Sequence, residues 1–267
     1  MTQAATRPSD MPPVRVGSFT VVSIGVPLRA ARGAAGWASV ALHEEAGQRT
    51  LIDCGGRGDA WVVRRSLEGL GVSPGQIDVI VLTHLHFDHA GALSLYPSAK
   101  IIVSADEMEH ARRAQTDPWL DSALTPGIVD ELATRTVRVV RGGDRVGGLT
   151  VVALPGHTPG SIGFVDHAGV LFAGDAVKNV VEMSGGAPRA AFDMDQATDS
   201  IARIKGASFQ AVIPGHDRPF TATAKAVSPL VPLRLEIGID TADATGSGPR
   251  DAFFDFRAGA PARAGAE

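Results

Sequence analysis

The sequence predicts an α/β fold in which two strand-rich halves, each with its own helices, share one domain. Three observations carry that prediction. Apolar runs of strand length recur in residues 16–53 and again in residues 137–213, with helical spacing between and after them. Hydrophobic residues make up 44% of the 267, enough for a sizeable core, and α/β architectures often reach this length as one domain. The apolar run of residues 78–82 stops at Thr83-His84-Leu85-His86-Phe87-Asp88-His89-Ala90-Gly91, which crowds three histidines and an aspartate onto one strand end.

Taken in order, residues 16–24 alternate and then become continuously apolar, which suits a strand. Residues 27–36 are small and basic and read as a loop. A hairpin follows, residues 37–43 and 48–53 around Glu44-Glu45-Ala46-Gly47. Residues 59–71 have helical spacing with Trp61, Val62, Leu67 and Leu70 on one side; Asp59 is placed to cap that helix and Gly71 to end it. After the strand at 78–82 come a short helix at 90–95, a strand at 100–103 and a second helix at 105–114. Glu107, Glu109, Arg112 and Arg113 are expected on that helix's solvated side, with His110 at the surface.

Residues 116–134, with Pro118, Trp119 and Pro126, read as connecting structure or as a substrate-facing insertion. Strands are then predicted at 137–140, 149–154, 161–165 and 170–173, with His167 in a tight turn. A polar, Gly-rich loop spans 178–192. A helix at 195–205 faces the core through Ala197, Ile201 and Ile204, and the last buried strand is 211–213. Residues 230–239 could add an edge strand, the position where Pro232 is best tolerated. The expected organisation is therefore a disordered lead at 1–14, the folded domain at 15–240 and an extended or disordered tail at 241–267.

Composition narrows the partners. A net charge of −4 with 20% charged residues argues against a large nucleic-acid footprint, which needs a clustered basic face. The first residues contain no apolar stretch of a secretory signal, and no run is long enough to span a bilayer. The single cysteine, Cys54, excludes an internal disulfide and reads as a buried structural thiol. A cytoplasmic protein is expected, with no nucleic-acid or membrane partner. Phe253, Phe254 and Phe256 of the tail would be docking anchors for a homodimer.

The chemistry starts at residues 84–89. Imidazole and carboxylate together suit zinc and other borderline divalent metals. A buried strand ending in so many coordinating groups is costly unless something binds them. His84 and His86 converge if the backbone after the strand stays irregular, while Asp88 and His89 turn to a neighbouring point, so one run can serve two adjacent ions. Farther along, His157 lies in a Gly/Pro turn, Asp175 follows the strand at 170–173, and His216 follows that at 211–213. Any one of these alone reads equally well as structural.

Together they form an ordered set that resembles the metallo-β-lactamase superfamily. The carriers are Leu51-Ile52-Asp53-Cys54-Gly55, the His-x-His-x-Asp-His run, Gly156-His157-Thr158-Pro159-Gly160, Ala173-Gly174-Asp175 and Pro214-Gly215-His216-Asp217. The resemblance covers residues 15–220. It implies a four-layer αββα sandwich and two divalent metal ions, zinc foremost, with iron or manganese as alternatives. His84, His86 and His157 would bind the first ion, Asp88, His89 and His216 the second, and Asp175 would bridge them. It also implies attack by a metal-bridging hydroxide, with Asp88 carrying a proton to the leaving group and Asp53 orienting a ligand histidine.

Within the family, residues 156–217 look most like the N-acyl homoserine lactonases, through Phe192-Asp193, the Ser200–Lys205 pattern and Gly215-His216-Asp217. Opening of a lactone or a related ester-type carbonyl is the activity implied. That branch carries a tyrosine three residues after the bridging aspartate, where this chain has Lys178. A cationic point charge there shifts the expectation toward an anionic or small polar substrate. The alternatives are a mononuclear iron oxidoreductase like the family's persulfide dioxygenases, and a glyoxalase-II-like thioesterase.

Overall fold

A computed structural model describes residues 13–26, 29–30, 33–34, 36–117, 120–222 and 226–232. Pro12–Leu230 forms one compact unit; a second unit, Met1–Met11 with Val231–Glu267, is described only at Val231 and Pro232. The expected N-terminal lead therefore lies outside the described residues up to residue 12. So do Pro118, Trp119, residues 233–240 of the expected edge strand, and the tail with its three phenylalanines.

In chain order the first half holds β1 (Val14–Val16), β2 (Phe19–Ser23), β3 (Arg29–Ala30), β4 (Gly33–Ala34), β5 (Val40–Glu45) and β6 (Gln48–Ile52). Helix α1 (Ala60–Gly69), β7 (Val79–Val81), α2 (Phe87–Ala90), β8 (Lys100–Ser104), α3 (Ala105–Thr116), α4 (Ile128–Ala133) and β9 (Val137–Val140) follow. The second half comprises β10 (Arg145–Val146), β11 (Leu149–Ala153), β12 (Ile162–Val165), β13 (Val170–Gly174), α5 (Val180–Met183), α6 (Met194–Gly206), β14 (Ala211–Pro214), β15 (Phe220–Ala222) and β16 (Val227–Pro229). One seven-stranded sheet has the order β1-β2-β5-β6-β7-β8-β9 and the other runs β10 to β16 in sequence order. The pairs from β6 to β9 are parallel, as is β13 with β14.

Alternation along the strands builds three apolar layers. Ile52, Val79, Val81 and Ile102 turn inward to meet Phe164, Phe172 and Ile213 of the facing sheet. Leu51, Ile80, Ile101 and Val103 turn outward under α1, α3 and α4. On the second sheet, Leu171 and Val212 face Ile201 and Ile204 of α6. Strands covered on both faces must be apolar at every position, which explains the continuous runs in the sequence. The four layers are therefore helix, sheet, sheet, helix, as the resemblance implies. Phe19 and Phe172 meet across the sandwich at 6.2 Å between ring centroids.

Several expectations are corrected. Residues 16–24 are not one strand but the hairpin of β1 and β2, turned at Gly17, whose φ of +58° favours glycine. Residues 27–36 contain the short pair β3–β4 rather than a plain loop. Helix α1 buries Ala60, Val63 and Leu67, while Trp61 and Leu70 are exposed, because the buried stripe follows i, i+3 and i+7 from the first helical residue. Asp59 occupies the N-cap position of α1 as expected, but its side chain makes no cap bond; its Oδ1 accepts from the Gly56 N–H at 2.9 Å. The helix expected at 90–95 begins earlier, as α2 inside the histidine run, followed by a 3₁₀ turn at Leu93–Leu95. The second sheet's edge is β16, and Leu230–Pro232 is not strand. Among the described residues no helix is long and apolar enough to cross a membrane.

Candidate metal centre

The C-terminal ends of β7, β13 and β14 and the turn entering β12 converge at one edge of the sandwich. The sheets are stitched together there: the Ile162 N–H donates to the Thr83 carbonyl at 3.0 Å. Gly174 allows the approach, since a Cβ on it would occupy the space of the Thr83 side chain. A Cβ on Gly215 would likewise collide with the Asp175 carboxylate. Small residues at the strand ends thus let the polar side chains close in on one another.

All seven side chains singled out from the sequence meet here. Three groups have donor atoms within 4.8 Å of one another: His84, His86 and His157; His84, His89 and Asp175; and Asp88, His89 and His216. Asp175 lies between them. Its Oδ2 is 3.3 Å from Nε2 of His157, and its Oδ1 is 3.2 Å from Nε2 of both His89 and His216. Asp88 Oδ2 is 3.4 Å from Nε2 of His216.

The hydrogen bonds on the far side of each ring fix which nitrogen carries the proton. Carboxylates and carbonyls only accept, so the ring atom facing one must be N–H. Nδ1 of His89 faces Asp53 Oδ2 at 2.7 Å, Nδ1 of His157 faces the Ala190 carbonyl at 2.8 Å, and Nδ1 of His216 faces the Trp37 carbonyl at 3.0 Å. The Thr83 hydroxyl donates to Asp53 Oδ2, leaving its oxygen to accept from Nδ1 of His84 at 3.0 Å. His86 is the reverse case: its Nε2 faces Asp121 Oδ2 at 3.0 Å, which turns Nδ1 toward Nε2 of His157 at 2.9 Å. The five remaining ring nitrogens therefore point into the cluster, three of them toward Asp175, and in neutral rings they are free to bind a cation. Nε2 of His84, Nε2 of His89 and Oδ1 of Asp175 are buried there without a hydrogen-bond partner. Unsatisfied acceptors packed this closely fit divalent cations.

Electrostatics agree. Burial, reinforced by neighbouring imidazoles, holds His84 well below the usual histidine range. Burial also keeps His157 low, against the pull of Asp175. For His89 burial again opposes the charged form, but Asp88, Asp175 and Asp53 outweigh it and push the pKa well up. Burial works against the charge on Asp175 too, yet His216, His157, His89 and Lys178 keep its carboxyl well below the ordinary range. The cluster attracts positive charge. Cys54 stays outside it: its buried thiol donates to the His89 carbonyl at 3.3 Å, and burial raises its pKa well above the usual value.

Lys178 is also brought to the cluster. Its Nζ is 3.3 Å from the Asp175 carbonyl and 3.9 Å from Asp175 Oδ2. Its backbone is pinned on both sides, with N–H donating to Glu182 Oε2 and carbonyl accepting from the His216 N–H, each at 2.8 Å. Asp217 Oδ2 holds the next turn through the Val180 N–H at 3.1 Å.

Two expectations on α3 are overturned. Glu107 is fully buried: Oε1 accepts from the Leu85 N–H at 2.9 Å and Oε2 from the Thr158 hydroxyl at 2.6 Å, bracing the two loops that carry His84, His86 and His157. His110 is buried as well, with Nε2 3.0 Å from Asp121 Oδ2. Both share the helix stripe of Ala111 and Ala114, and that shared stripe is the signal in the sequence that could have found them. Asp121, from the segment without periodicity, and Glu182, which also accepts from the Arg189 N–H at 3.1 Å, were not foreseen.

The sequence profile of the metallo-beta-lactamase superfamily matches residues 37–216. The chain is similar to human metallo-beta-lactamase domain-containing protein 1, 32% identical over 206 residues, 74% of this chain and 68% of that one. It is similar also to an N-acyl homoserine lactonase of a Bacillus species, 30% identical over 143 residues, 52% of this chain and 54% of that one. The chain thus spans between about half and two thirds of the length of these curated relatives. A solved N-acyl homoserine lactone hydrolase bound to N-hexanoyl-L-homoserine superposes with a TM-score of 0.56 at 21% identity, covering 71% of this chain and 87% of that one.

Proposed function

The chain belongs to the metallo-β-lactamase superfamily, and from that premise we propose that it is a metal-dependent hydrolase opening a lactone or a related ester-type bond in a small anionic substrate. The observation that carries this is the convergence of five imidazole nitrogens on Asp175 and Asp88 at a strand-end cleft.

His84, His86 and His157 would hold one divalent ion and Asp88, His89 and His216 a second, with Asp175 shared; zinc suits this donor set best. When bound, the ions supply a water of lowered pKa and polarise a carbonyl oxygen. The protein supplies the rest. Asp53, Ala190 and Trp37 hold the rings of His89, His157 and His216 from behind, so the ligand set needs no reorganisation. Asp88 Oδ2, 3.4 Å from Nε2 of His216, would accept a proton and return it to the leaving oxygen.

Lys178 sets the substrate class. Its ammonium, beside Asp175 at the edge of the cluster, would favour a substrate or product carboxylate. The pinned backbone of Lys178 holds the ammonium near Asp175. A panel of matched lactones and esters, with and without a carboxylate beside the scissile bond, tests the reading. Turnover that is abolished by a chelator, restored by zinc and faster for the carboxylate-bearing members is expected. Absence of chelator-sensitive hydrolysis across the panel would overturn it.

A further inference from the structure

His86 and His157 face each other nitrogen to nitrogen, Nδ1 to Nε2, at 2.9 Å. Two proton placements on a neutral His86 are possible here. In one, His86 carries its proton on Nδ1 and donates to His157, which hides both lone pairs from a metal. In the other, His86 carries the proton on Nε2 and the two lone pairs face each other, a contact that a cation between them relieves. The carboxylate behind the ring decides between them: Asp121 Oδ2 lies 3.0 Å from Nε2 of His86, where a bare nitrogen lone pair would be repelled.

Asp121 is itself held in place. His110 Nε2 donates to the same Oδ2 at 3.0 Å, and Oδ1 accepts from the Ala123 N–H at 3.1 Å. The backbone around it is paired with the histidine run, through Phe87 N–H to the Ala123 carbonyl at 2.9 Å. Phe192 packs edge-on against His110 at 5.0 Å between centroids, and its own N–H donates to the His157 carbonyl at 3.1 Å. The group behind His86 is thus closed from both ligand-bearing loops.

We propose that Asp121, held by His110, is a positioning residue that keeps His86 in its Nε2–H form, prevents a His86–His157 hydrogen bond from closing the first metal site, and so sets that site's metal affinity. This rests on the metal-binding reading above. Partners behind ligand histidines are typically worth about 10- to 100-fold in metal affinity.

Two measurements on the full chain test it. Long-range proton–nitrogen NMR of the chelator-stripped protein should show His86 protonated at Nε2 in the wild type and shifted to the Nδ1–H form in Asp121→Ala. Stepwise zinc titration against a chromogenic chelator should show the first-site affinity falling about 10- to 100-fold in Asp121→Ala, less in Asp121→Asn, with the second site within about threefold of wild type. His110→Ala should weaken the first site severalfold, and His110→Gln, which restores a donor near the Nε2 position, should recover it. A purely structural role would lower thermal stability without separating the two sites. Wild-type tautomer and wild-type first-site affinity in both Asp121 variants would overturn the proposal. A wild-type chain that takes up no zinc would instead overturn the metal-binding reading, leaving the tautomer result to decide whether Asp121 controls His86.

Discussion

Asp53 Oδ2 lies 2.7 Å from Nδ1 of His89, with both side chains wholly buried. The same carboxylate accepts from the Thr83 N–H at 2.7 Å and from the Thr83 hydroxyl at 2.8 Å, so one aspartate at the end of β6 ties down the start of the histidine run on β7. Burial raises its pKa, while these donors hold the charged form in place. Asp53→Asn keeps the shape but places an amide where a donor already points. Zinc affinity at the second group should fall about 10- to 100-fold with the fold retained. Competition titration with circular dichroism checks this, and unchanged affinity would remove Asp53 from the site.

Asp175 stands between the two groups, one oxygen toward His157 and the other toward His89 and His216. Asp175→Asn removes the charge both ions would share. Turnover should drop by about two orders of magnitude or more, on the scale of losing a principal electrostatic stabiliser. Near-wild-type turnover with full metal content would contradict the bridging assignment.

Lys178→Ala should lower kcat/KM for carboxylate-bearing substrates while leaving metal content and neutral substrates nearly unchanged, because a charge-assisted contact is about twice as strong as a neutral one. Lys178→Tyr should shift preference toward uncharged lactones. Equal losses on charged and neutral substrates would show that the ammonium does not read substrate charge.

Asp59 gives a pH test on a side chain outside the seven. Burial lifts its carboxyl from 3.8 to about 6, and its Oδ2 has no hydrogen-bond partner. Between those values the folded chain binds more protons than the unfolded one, so the contribution to stability is greatest at low pH and is lost as pH rises through about 6. Asp59→Asn keeps an acceptor for Gly56 and removes the titration. It should gain about 1–3 kcal/mol over wild type at pH 8 and little at pH 4. Urea midpoints at both values check it; an unchanged difference between them would mean the carboxyl is not held above its normal range.

The sequence was most readable where a residue's neighbours in the chain decide its environment. The strand of residues 78–82 and the run from His84 to His89 declare their burial and chemistry together, and the later ligands follow apolar strands in the same way. Glu107 and His110 were misread because a helix of alternating charges looks solvated. The stripe they share with Ala111 and Ala114 marks a buried face, but the groups they pair with there, Thr158, 51 residues away, and Asp121, lie outside any local pattern. Trp61 and Leu70 failed in the opposite sense: apolar but turned to water, since the helix presents a different stripe to the sheet. Lys178 was visible as a departure from the lactonase pattern, but its pinned backbone emerged only when β14 was laid beside the loop after Asp175.

Metal stoichiometry tests the central claim most directly. Elemental analysis of the full chain, expressed with ample metal and purified without chelator, should find two divalent ions per chain, zinc foremost. One iron and no second ion, or no bound metal at all, would contradict the account of seven side chains sharing a pair of ions across Asp175.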